Sequence, residues 1–107
     1  VLLIGPEYLS IAIEHFGMEA TNYKHIKIPE KDCFKYYNDI LANALKALNA
    51  LKPGDVVLVC ASMMAEPLIM DLQAQYPDMI YLDMGSVLEP YAGKNTRSYH
   101  QKIIDRI

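Results

Sequence analysis

"GDVVLVCASMMAEPLIMDLQAQYPDMIYLDMG", residues 54–85, decides the fold. Its opening run, "VVLVCA", is apolar at every position and rich in β-branched side chains. Such a run reads as a strand buried on both faces. Ser62 then opens a helical segment, with Pro67 tolerated in its first turn. Pro77-Asp78 turns the chain, and "MIYLD" makes a further apolar strand. A strand, a helix and a strand in so short a span call for a parallel pair joined by a crossover.

The same alternation continues upstream. "VLLIG" is an apolar run closed by Gly5-Pro6. "EYLSIAIEHFG" carries apolar residues at 8, 9, 12, 13 and 16, a helical spacing that Gly17 can end. "HIKIP" is short and stopped by Pro29, as befits an edge strand. Asp32 can cap the next helix, whose apolar stripe is Phe34, Tyr37, Leu41, Leu45 and Leu48. "RSYHQKIIDRI" reads as a last helix. The expectation is one α/β domain over residues 1–107, a Rossmann-like parallel sheet of about four strands flanked by helices. The strands fall near 1–5, 25–28, 56–60 and 79–82, apolar and covered on both faces, with the third central.

Bulk properties narrow the function. The 107 residues are 52% hydrophobic and 21% charged, which suits one globular core. A net charge of −3 gives no electrostatic reason to expect nucleic acid. No apolar run is long enough to span a bilayer. Cys33 and Cys60 form no C-x-x-C pair, and Cys60 ends an apolar run as a buried thiol. A reducing, cytoplasmic setting follows. The chain opens at Val1 in a strand-like run and ends at Ile107 in a helix-like one, which reads as a segment of a longer protein.

In open parallel sheets, ligands bind beyond the strand C-termini, where the strand order reverses. The first and third strands are the expected neighbours there. Ser62, between strand and helix, either caps the helix or offers unpaired amides to a diphosphate. The bulky Met63-Met64 and the lack of G-x-G-x-x-G speak against NAD or FAD. Asp83, at a strand end before Gly85, either accepts from a ribose or sugar hydroxyl, acts as a base, or braces its own turn. Glu89 and Glu7 read as loop and helix-end charges. Lys94, Arg97 and His100 form a basic cluster, with Arg97 suited to gripping phosphate oxygens. His15 and His25 read as surface residues. No zinc spacing, D-x-D or D-x-E occurs.

Residues 54–100, ending "YLDMGSVLEPYAGKNTRSYH", resemble the C-terminal half of bacterial glycosyltransferases of the GT-D fold. Those proteins have a strand, a small-residue turn, a helix and a strand ending in D-x-G, here Asp83-Met84-Gly85. Some continue with a segment like Gly93…Arg97-x-Tyr99, and "VLLIGPEYL" looks like the strand that opens that half. The resemblance implies transfer of a sugar from a nucleotide-sugar donor to a glycan acceptor in polysaccharide biosynthesis. It implies a divalent metal, Mn or Mg, held by a D-x-E motif outside this sequence. Asp83 would meet the donor or serve as base, Gly85 would shape the turn, and Arg97 and His100 would neutralise the leaving diphosphate. A glycine usually stands where this chain has Ser62-Met63. A non-catalytic module for a nucleotide or sugar phosphate is the alternative. The eight tyrosines and six methionines also suit a subunit that contacts a second copy of itself.

Overall fold

The computed structural model describes residues 1–15, 23–31, 33–85, 87–93 and 100–106. Four strands, β1 (Leu2–Pro6), β2 (Lys24–Ile28), β3 (Val56–Val59) and β4 (Ile80–Asp83), alternate with helices α1 (Leu9–His15), α2 (Tyr37–Leu48), α3 (Ala65–Gln75) and α4 (His100–Ile104). All pairings are parallel and the order is β2-β1-β3-β4. This is the expected α/β, Rossmann-like sheet. β2 is an edge, as its proline stop implied, and β3 is internal.

Burial explains the order. Every residue of β1 is buried, and Leu2, Leu3 and Ile4 are wholly so. Burying such side chains contributes about 1.5–3 kcal/mol each. One sheet face, with Leu2, Ile4, Val57 and Val59, packs against α2 and α3 through Ala44, Leu48, Leu68 and Leu72. The other, with Leu3, packs against Leu9, Ala12 and Ile13 of α1 and against Leu88. Tyr37 fastens α2 to α3: its hydroxyl lies 3.1 Å from the Pro67 carbonyl oxygen and contacts the Asp71 carboxylate.

Three expectations need correction. The buried stripe of α2 is Ile40, Ala44, Ala47 and Leu48, whereas Phe34 is exposed and Leu41 and Leu45 only flank the core. Small alanines let the helix lie close to the sheet, so the longer side chains move to its margins. Full cover on both faces fails at β4, where Ile80 and Leu82 are 49% and 45% exposed. Only the opposite face, through Tyr81, meets the α2–α3 core. His25 is only partly at the surface: it is half-buried, with its Nε2 2.9 Å from the Gly5 carbonyl oxygen. Asp32 and Gly17 lie outside the described residues. Among the described residues, no helix is long and apolar enough to cross a membrane.

Candidate functional site

The strand order turns between β1 and β3: β1 leads outward to β2, and β3 leads outward to β4. At such a reversal, the connections leave in opposite directions and open a crevice beyond the strand ends. The ladder continues past the strands here. The Cys60 amide donates to the Ile4 carbonyl at 2.8 Å, and the Met84 amide donates to that of Val59 at 2.9 Å. Backbone bonding thus holds the chain in place as it leaves β3 and β4.

A cleft of about 120 Å³ occupies this place. Its buried floor is Pro6, Leu9, Ile28, Cys60 and Ala61. Its polar rim includes Tyr8, Glu30, Ser62 and Glu89. Pockets that take a whole drug-sized ligand measure roughly 300–1,000 Å³. The cleft therefore fits one ring-sized portion of a ligand, not an entire dinucleotide.

The rim is acidic. The Tyr8 hydroxyl donates to Glu89 Oε1 at 3.3 Å. Burial, together with the charges of Glu89 and Glu30, pushes the Tyr8 phenol up to about 12. Burial, then the carboxylates of Asp83 and Glu89, pushes the Cys60 thiol up to about 12 as well. Cys60 is thus a protonated floor residue, not a nucleophile. Among the described residues, the lining includes no Lys or Arg. Nor are any three His, Cys, Asp or Glu side chains among them grouped to hold a metal ion.

Ser62 stands at the cleft, but not as a helix cap. It begins a 3-10 turn, Ser62–Met64, whose cap position is Ala61, and α3 starts only at Ala65, with Met64 at its cap. Its φ is +52°, the left-handed region. A serine there is strained, whereas a glycine is not.

Asp83 ends β4 and is exposed. Its Oδ1 accepts from the Gly85 amide at 3.0 Å, so it braces the turn. Gly85 lines the cleft with φ +54°, which favours glycine. Arg97 and its neighbour Lys94 lie outside the described residues. His100 is the first residue of α4, and its side chain is outside the description. The structure thus brings together Ser62 and Gly85, with Asp83 alongside. Sequence reasoning missed Tyr8, Glu30 and Cys33 in the lining. The available signal was position, because each lies within a few residues of a strand exit.

Compared with models of known protein families, with curated proteins and with solved structures, the chain matches none.

Proposed function

We propose that this domain binds the nucleotide-sugar donor of a glycosyltransferase, which passes the sugar to a glycan or glycoconjugate acceptor. The observation that carries the reading is the cleft at the β1–β3 reversal, floored by apolar side chains and rimmed by hydrogen-bond acceptors. The Asp83-x-Gly85 turn beside it supports the same reading. One Asp83 oxygen holds the turn, and the other oxygen of the carboxylate is suited to a ribose or sugar hydroxyl. The leaving nucleoside diphosphate gains negative charge as the glycosidic bond breaks, which calls for preorganised cations or donors. Arg97 and His100 take that part in this reading. A Mn or Mg ion would sit on acids outside this sequence, and the work would take place in the cytoplasm.

The test is calorimetric titration of the full-length protein with UDP-glucose, UDP-N-acetylglucosamine and GDP-mannose, with and without manganese. Saturable binding of at least one, followed by sugar transfer to a glycan acceptor, is the expected result. Failure of every nucleotide-sugar to bind overturns the reading.

A further inference from the structure

Tyr8 follows β1 and Glu89 follows β4, yet their side chains meet at the cleft. Glu89 opens a 3-10 turn, Glu89–Ala92, that packs against α1 and is anchored by the buried Pro90. Tyr8 immediately precedes α1, whose first residue, Leu9, is wholly buried. Both side chains are half-buried, so the pair is held by packing on each side and is not a surface accident. A carboxylate has roughly four acceptor positions, so the bond from the Tyr8 hydroxyl does not exhaust it. Glu30 adds a second carboxylate to the rim, and the floor below is apolar.

An apolar floor under an acceptor-rich rim matches a pyranose ring, which offers a C–H face and a fringe of hydroxyl donors. It suits a diphosphate poorly, because phosphate oxygens are themselves acceptors. The volume of about 120 Å³ also matches one ring rather than a whole nucleotide-sugar. We infer that the cleft is the sugar subsite of the donor, that Glu89 accepts a sugar hydroxyl there, and that Tyr8 positions Glu89 by donating to it. This rests on the donor-binding reading above. It goes further by assigning the cleft to the uncharged part of the donor and naming the residue that recognises it.

The experiment compares UDP-glucose, UDP-N-acetylglucosamine and GDP-mannose with UDP and GDP, by calorimetry on the full-length protein. Wild type, Glu89→Gln and Tyr8→Phe are used, with folding checked by circular dichroism. Wild type should hold one nucleotide-sugar more tightly than its free diphosphate. Glu89→Gln should lose that preference, read as the ratio of nucleotide-sugar to free-diphosphate affinity, by about tenfold or more, as for a charge-assisted hydrogen bond. Tyr8→Phe should lose a smaller part of it. If the folded variants keep the wild-type preference, the inference falls while the donor-binding reading stands. If wild type binds diphosphates and nucleotide-sugars equally, the sugar subsite falls alone. If no nucleotide binds at all, both fall. Should Glu89→Gln fail to fold, Tyr8→Phe decides by the same comparison.

Discussion

Gly5 and Leu9 approach so closely that a side chain on Gly5 has no place. A Cβ there would lie 2.6 Å from Leu9 Cδ1 and 3.1 Å from the Cβ of Cys60. Leu9 is wholly buried and has little room to yield. Gly5→Ala should therefore cost about 1–3 kcal/mol, the usual range for overpacking a core. Urea unfolding checks this, and an unchanged midpoint would show that α1 simply slides away.

Ser62→Gly should act in the opposite direction. A non-glycine residue at φ +52° stores about 1–3 kcal/mol of strain, part of which is offset by glycine's extra freedom in the unfolded chain. A net gain of about 0.5–1 kcal/mol is expected. The denaturation midpoint should rise at constant slope. A fall would mean that the serine hydroxyl makes a bond worth more than the strain.

Alkali should destabilise the protein. Tyr8 and Tyr37 are raised from 10.0 to about 12, chiefly by burial and then by their carboxylate partners, and Cys60 from 9.0 to about 12. In each case, the native state keeps a proton that the unfolded state has released. Stability is then complete below the unfolded pKa and is lost as pH rises through the folded one. The decline should begin near pH 9 and steepen towards pH 12. Tyr37→Phe should lower stability at neutral pH and flatten the decline, as read from urea midpoints across that range.

The two thiols should differ in reactivity. Cys33 is half-buried at the cleft, whereas Cys60 is 6% exposed and firmly protonated. Iodoacetamide near neutral pH should label Cys33 first and Cys60 only after unfolding. Peptide mass spectrometry reads the outcome, and equal native labelling would contradict the burial of Cys60.

Arg97→Ala should weaken nucleotide-sugar binding about tenfold, and Arg97→Lys should recover only part, because the planar fork is lost. Equal affinities in all three proteins would make Arg97 a solvated surface charge.

The sheet was legible because its strands are apolar runs separated by helical spacing. "VLLIG" and "VVLVCA" lie buried side by side as their composition demands. The α2 stripe was less legible, because alanine carries a weak apolar signal even where, as at Ala44, it is completely buried. Ser62 looked like a cap because serine before a helix usually is one, and residue type does not announce a positive φ. Asp83-Met84-Gly85 was legible as a turn at the sheet's ligand edge. The Tyr8–Glu89 pair was not, since nothing in either neighbourhood tells of a partner far along the chain.

The register of β1 has a consequence for how the protein comes into being. Leu2 lies opposite Val57, so β1 must wait for a partner made much later. Closing so long a loop costs entropy that no local contact returns, and parallel pairings of this kind form slowly. On a ribosome, the apolar "VLLIG" would emerge well before β3 and stay without that central neighbour until β3 follows. Nascent chains in that interval are prone to stick to one another. The cleft, needing β1, β3 and Glu89 together, would then be among the last features to appear.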